Sequence, residues 1–156
     1  MTEIQADEYW AKKGDVDLFM FRKRLTASEN APVLFMVHGS SFSGPTGFDL
    51  QVPGREDYSQ MDRFANAGFD VWTLDHEGYG RSSRTDGNSD IASGVEDLKA
   101  GFDVITRETG LTAALFYGSS SGALRAAAFA EARPDAVTRL VLDAFVWTGK
   151  DAPTLI

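Results

Sequence analysis

The sequence has no cysteine and only two histidines, His38 and His76. Without cysteine there is no disulfide scaffold and no thiolate metal site, which fits a reducing compartment. Positive charge is also scarce: 15 Lys and Arg stand against 23 Asp and Glu, a formal net charge of -8. A surface for nucleic acid or anionic membrane needs clustered cations, so neither partner is expected. One locally basic run, "FRKRL" (Phe21 to Leu25), reads as a solvated strand end. No stretch approaches the ~18 consecutive apolar residues of a membrane span. The opening "MTEIQADEYW" is acidic and lacks the apolar centre of a signal peptide. These shortages predict a soluble, cytoplasmic protein. No repeat or low-complexity tract interrupts the chain.

What is present is enough for a core. Apolar residues make up 43% of the 156 positions, with eleven Phe and three Trp. A single domain of this size hides roughly 70% of its unfolded surface. "YWAKKGDVDLFMFRKRL" predicts two strands, at about 8–12 and 16–24, turning at Gly14-Asp15. "APVLFMVHG" predicts a short strand buried on both faces. A Gly-, Pro- and Ser-rich loop from Ser40 to about Gly54 follows, and loops of that length tend to be functional. Tyr58, Met61, Phe64 and Ala65 recur at helical spacing, with Gly68 as the stop. A strand is expected at 69–75, then the loop "HEGYGRSSRTDGN". Ile91, Val95, Leu98, Phe102 and Ile105 mark an amphipathic helix ended by Gly110. A strand at 112–117, a helix at 121–133 and a strand near 137–143 complete the pattern. Strands alternating with helices after an opening hairpin specify an α/β fold. Its sheet is mostly parallel, has helices on both faces, and places ligand sites at the carboxyl ends of the strands.

The stretch "YGSSSGALRAAAF" (117–129) has the composition of a flexible spacer. Its position argues otherwise, because it joins an apolar strand directly to an alanine-rich helix and leaves no room for a hinge. The better reading is Gly118-Ser119-Ser120-Ser121-Gly122 as G-x-S-x-G on a sharp strand-to-helix turn. Ser120 is centred between the glycines, and Ser119 and Ser121 are its neighbours. Gly118 and Gly122 are needed because side chains there would collide. The helix starting at Ser121 aims unpaired N–H groups at the place where a negative oxygen forms during acyl transfer.

Two more stretches accompany this one. "VLFMVHGSS" resembles the strand-then-His-Gly segment of the α/β-hydrolase superfamily, and "LDHEGYGRSS" its Asp-x-x-Gly-x-Gly-x-Ser loop, here Asp75, Gly78, Gly80 and Ser82. With "YGSSSG" they occur in that family's order and spacing, over nearly the whole chain. The resemblance implies a serine hydrolase of ester, thioester, amide or related carbonyl compounds, with Ser120 as nucleophile. Its oxyanion donors are the backbone N–H of Ser121 and that of Ser40 or Ser41. His38 then braces its loop and is not the base. His76 is a loop residue near the site, and Asp75 binds turn amides. Arg125 is a helix-surface or packing residue. Tyr79 and the loop "FSGPTGFDLQVPG" are candidate pocket walls. No metal or organic cofactor is implied, and the expected partner is a small carbonyl substrate.

In that family the order is serine, acid, histidine. Both histidines here precede Ser120. Asp143, at the carboxyl end of the sixth strand, is a candidate acid; the competing reading is an Asp that caps the following turn. The resemblance therefore predicts the N-terminal portion of an α/β-hydrolase, residues 1–156 forming a single incomplete core from hairpin to sixth strand. It lacks the last strands and the cap, whose region begins at about 146. A complementary C-terminal polypeptide of the same hydrolase is expected to supply the histidine. Two alternatives use the same fold: a carbon–carbon bond hydrolase on the same residues, and a non-catalytic small-molecule binder.

Overall fold

A computed structural model describes residues 3–27, 30–55 and 57–145. Its strands are β1 (Ile4–Lys13), β2 (Val16–Leu25), β3 (Val33–Val37), β4 (Asp70–Leu74), β5 (Ala114–Ser119) and β6 (Val137–Asp143). Its helices are α1 (Gly44–Phe48), α2 (Gln60–Asn66), α3 (Ile91–Thr109) and α4 (Ser121–Ala132), with a 3₁₀ turn at Pro134–Ala136. The α/β expectation holds. The strands form one sheet in the order β1-β2-β4-β3-β5-β6. The hairpin joins β4 antiparallel, and β4, β3, β5 and β6 run parallel.

Alternation within the short central strands separates two cores. Phe35, Val37, Trp72, Leu74 and Phe116 face α3 and α4. Leu34, Met36 and Val71 face the other way, against Phe48 of α1 and Met61 and Ala65 of α2. Period-two side-chain direction in a strand buried on both faces produces this split. The chain leaves β3 for β4 on one side and reaches β5 on the other. The carboxyl ends of β3 and β5 therefore flank a crevice from which the connections diverge, the usual place for a ligand in such sheets.

Several boundaries differ from those predicted. β1 starts at Ile4, because pairing with β2 carries it out to Leu25. β5 runs to Ser119, held by pairing with Asp143. The expected 40–54 loop contains α1, which begins at the Gly44-Pro45 pair. Ser59 caps α2 by accepting from the Asp62 amide, so Tyr58 lies outside the helix and is exposed.

The "FRKRL" run is not a solvated end. Arg22 and Lys23 are both buried. Arg22 grips Asp70 with two bonds, Nε–Oδ1 at 2.8 Å and Nη2–Oδ2 at 2.6 Å, and lies 4.7 Å over the Trp72 ring. Lys23 Nζ reaches Asp49 and Asp62, each at 2.7 Å. Cations sit inside here because carboxylates from β4, α2 and the β3–β4 connection meet them.

At the other side of the sheet, β6 pairs only with β5 among the described residues. It leaves Val141 52% exposed, with Leu142 and Phe145 also open. The expected cap region from about 146 lies outside the described residues. No described helix is long and apolar enough to cross a membrane.

The Arg22–Asp70 pair yields a stability prediction. Removing one partner strands a buried charge, which costs about 3–5 kcal/mol. Asp70→Ala should lower the urea midpoint accordingly. Arg22→Leu combined with Asp70→Leu should recover most of the loss.

Candidate active site

The turn after β5 is sharp. Ser120 has φ 57° and ψ -127°, a combination that L-residues avoid. It is held there from both sides. The Ser120 N–H donates to the Asp143 carbonyl on β6 at 2.9 Å, and its own carbonyl accepts from the Ala123 amide in α4 at 3.0 Å. The flanking glycines are steric necessities. A Cβ on Gly122 would lie 2.2 Å from the Val37 carbonyl oxygen, and one on Gly118 would lie 2.6 Å from the Ala123 α-carbon. The geometry matches the tight strand-to-helix turn expected from the sequence. The side of Ser120 is exposed.

Ser120 sits at the mouth of a cleft of about 490 Å³, walled by Ser40, Phe42, Phe48, Leu50 and Tyr58. The 42–54 loop thus supplies pocket walls as anticipated. Tyr79 does not: its ring packs edge-on against His38, 5.2 Å between centroids. A separate polar cleft around Arg22 and Arg24 lies away from the serine turn and holds none of its residues.

Ser40 and Ser121 meet across the crevice, their hydroxyls 2.9 Å apart. Their main-chain amides are the expected oxyanion donors, and the contact places the two segments side by side. Ser121 is the first residue of α4, so its N–H has no partner within the helix. Ser41 has φ 71°, so the chain turns sharply there as well. Asp75 accepts from the amides of Gly44 at 2.8 Å and Arg81 at 2.8 Å, stitching two loops together. Burial raises its carboxyl above the usual range, against those bonds.

Neither histidine is placed to act as a base. His38 is 1% exposed, and both ring nitrogens are occupied. Its Nε2 accepts from the His76 amide at 3.0 Å, and its Nδ1 lies 2.7 Å from the Gly39 carbonyl. Burial, with the nearby His76 ring, pushes its pKa down to about 3. His76 is fully buried, with Nδ1 3.0 Å from Asp97 Oδ2. Burial lowers its pKa, and the Arg125 charge adds to that, against the pull of Asp97. His38 is the brace that the sequence suggested.

Asp143 lies in register with Ser119 at the end of β6. Its carboxylate accepts from the Tyr117 hydroxyl at 2.7 Å. Burial and that carboxylate raise the phenol to about 12. Arg125 is buried, which selects packing over helix surface; its Nη2 donates to the Ser89 carbonyl at 2.8 Å, tying α4 to the approach of α3. Sequence reasoning missed Asp97. The available signal was a carboxylate in phase with Gly101 and Val104 on the buried side of α3. Among the described residues no group of three His, Asp or Glu side chains could hold a metal ion.

Residues 54–153 match the family described as serine aminopeptidase, S33. The chain is 34% identical over 149 residues to a 2-hydroxy-6-oxononadienedioate/2-hydroxy-6-oxononatrienedioate hydrolase of Paraburkholderia phymatum, covering 90% of this chain and 45% of the relative. It is 34% identical over 116 residues to a protein of the same name from Burkholderia vietnamiensis, covering 70% and 34%. The fold is shared with a hydrolase of Pseudomonas aeruginosa PA01, at TM-score 0.73 and 21% identity over 92% of this chain and 48% of that one. The chain spans less than half the length of the curated relatives it matches.

Two predictions come from this geometry. Glycine relieves the Ser120 backbone strain, so Ser120→Gly should raise stability by about 1 kcal/mol and Ser120→Ala should leave it nearly unchanged, as read by urea unfolding. The second concerns pH. Folding depresses the pKa of both histidines, so their contribution is complete above the unfolded value near 6.5 and is lost as pH falls. Stability should drop by about 1.4 kcal/mol per pH unit for His38 between pH 6.5 and about 3, with His76 adding in the same direction.

Proposed function

Because the chain belongs to the serine aminopeptidase S33 family of α/β-hydrolases, we propose that it carries the nucleophile and oxyanion site of a serine hydrolase. The observation that carries this reading is Ser120: strained, exposed, on an apolar-walled cleft that Ser40 also lines, and followed by Ser121, whose hydroxyl meets that of Ser40. In the proposed reaction Ser120 Oγ attacks the carbonyl carbon of an ester, thioester, amide or related compound. The new C–O bond forms as the carbonyl π pair moves to oxygen, where the two amides receive the charge. The serine proton passes to a histidine and from it to the leaving group. Water then attacks the acyl-enzyme and restores Ser120.

His38 and His76 are both fully buried while Ser120 is exposed, so the reading assigns the base to a histidine from a C-terminal part of the same hydrolase. The exposed outer edge of β6, with Val141, Leu142 and Phe145, supports such a part as a partner. Asp143 is the candidate acid, one strand away from Ser120 and able to exchange its Tyr117 bond for an imidazole N–H. The reaction as proposed uses no cofactor, and a cytoplasmic location is part of the proposal.

The names of the two relatives favour a second reading. A 2-hydroxy-6-oxo dienedioate contains a ketone and two carboxylates but no ester or amide, so its hydrolysis breaks a carbon–carbon bond beside a carbonyl. The same serine and amides can serve that reaction.

A fluorophosphonate probe tests the proposal on the protein completed by its C-terminal part. One adduct on Ser120, lost together with turnover in Ser120→Ala, is expected. Residues 1–156 alone should show no turnover. An intact protein that binds the carbonyl compound yet stays unlabelled at Ser120 would overturn the reading in favour of a non-catalytic binder. A panel of aryl esters, thioesters and vinylogous diketones separates acyl transfer from carbon–carbon cleavage.

A further inference from the structure

A carboxylate on the core side of a helix is costly unless it is paired. Asp97 of α3 is such a group, 0% exposed between helix and sheet. Its Oδ1 is 2.5 Å from Lys13 Nζ on β1. Its Oδ2 accepts from His76 Nδ1 at 3.0 Å and from the Glu77 amide at 3.1 Å. Burial pushes the Asp97 carboxyl up, but the His76 and Lys13 bonds outweigh it and hold the group below the usual carboxylate range. Lys13 also reaches Glu77, and the Arg125 charge acts on His76 from α4. The cluster is therefore anchored from β1, α3 and the loop after β4.

The proton positions follow from these partners. An ionised Asp97 only accepts, so His76 must carry its proton on Nδ1. The His76 main-chain amide only donates, so His38 Nε2 must be the bare nitrogen. His38 then carries its proton on Nδ1 and donates it to the Gly39 carbonyl. The peptide from Gly39 to Ser40 is trans, with its C=O and N–H pointing in opposite directions. A Gly39 carbonyl held towards His38 turns the Ser40 N–H away from it. Gly39 itself lies against the nucleophile: a Cβ there would be 2.8 Å from Ser120 Cβ and 3.3 Å from Ser120 Oγ.

We propose that Asp97 and His76 are positioning residues for the oxyanion donor, fixing the His38 tautomer and through it the direction of the Ser40 amide. This rests on the reading of Ser40 as that donor. Asp97 holds the loop after β4, that loop presents the His76 amide to His38, and His38 aims the peptide beside Ser120. A substitution two elements away from the nucleophile thus acts on the placement of one N–H group.

With two histidines in the chain, both rings can be read by long-range proton–nitrogen spectra of histidine-labelled protein. The expected result is two neutral Nδ1–H rings that do not titrate between pH 5 and 8. In Asp97→Leu, His38 should lose its single tautomer and the Ser40 amide resonance should shift. Asp97→Asn, which keeps an oxygen acceptor for His76, should restore both. A purely structural role for Asp97 predicts lower stability with the His38 tautomer and the Ser40 resonance unmoved, and that outcome overturns the proposal. Should Asp97→Leu fail to fold, the unsubstituted protein still decides: a His38 ring protonated on Nε2, or titrating near 6.5, overturns it. Phosphonate labelling reports separately on the hydrolase reading. An unreactive Ser120 in a protein with the expected histidine spectra rejects that reading while the tautomer chain stands.

Discussion

The site depends on how closely the first turn of α4 approaches the end of β3. Gly122 has its α-carbon against the Val37 and His38 carbonyls, with no space for a methyl group. That approach is possible because β3 and β5 are parallel neighbours whose connections leave the sheet on opposite sides. It brings two backbone segments together: the one after β3, with its sharp turn at Ser41, and the one after β5, with its strained Ser120. Widening the gap by the width of one side chain would separate Ser40 from Ser121, and in the proposed reaction an oxyanion could then reach only one of the two amides. Strain at Ser120 is tolerable because the sheet on one side and the helix on the other both bond its peptide groups.

Arg22 with Asp70 and Lys13 with Asp97 carry their charges inside the fold as pairs, whereas buried Arg125 meets the Ser89 carbonyl and no carboxylate among the described residues. The two histidines, by contrast, are kept neutral by burial. A neutral imidazole with one donor and one acceptor nitrogen is a directional coupler, and His38 uses both. The same engagement that makes it a good brace disqualifies it as a base, which needs a lone pair facing the serine. In the proposed hydrolase, bracing and proton transfer are therefore assigned to different histidines.

The serine turn was legible because it is local. Gly118, Ser120 and Gly122 are fixed by the conformation of five residues, and the strand-to-helix context is visible from apolar periodicity on either side. The fold class was legible for the same reason, since alternation of periods two and four carries across the chain. Tertiary pairing was not legible. Arg22 and Lys23 looked solvated because nothing near them in sequence reveals that Asp70, Asp49 and Asp62 meet them. Arg125 was open to a surface or a packing reading, and only the approach of Gly94 of α3 to its stem decides for packing. Asp97 was overlooked because the amphipathic pattern of α3 was read from its apolar residues alone. Tyr79 was assigned to the pocket from its place in a loop, whereas the ring turns towards His38.

Asp143 links Ser120 to the outer edge of the sheet. Its carbonyl accepts the Ser120 amide while its carboxylate holds Tyr117, so one residue touches both the elbow and the strand that leads into it. The position of β6 therefore bears on the backbone at which the chain turns through Ser120. Strands pair cooperatively, and an edge strand bonded on one side is less constrained than a central one. A further strand laid along β6 would fix the Asp143 carbonyl and, through it, the Ser120 peptide. In the proposed complete hydrolase the C-terminal part thus has two effects on Ser120: a chemical one through its histidine, and a mechanical one through the sheet.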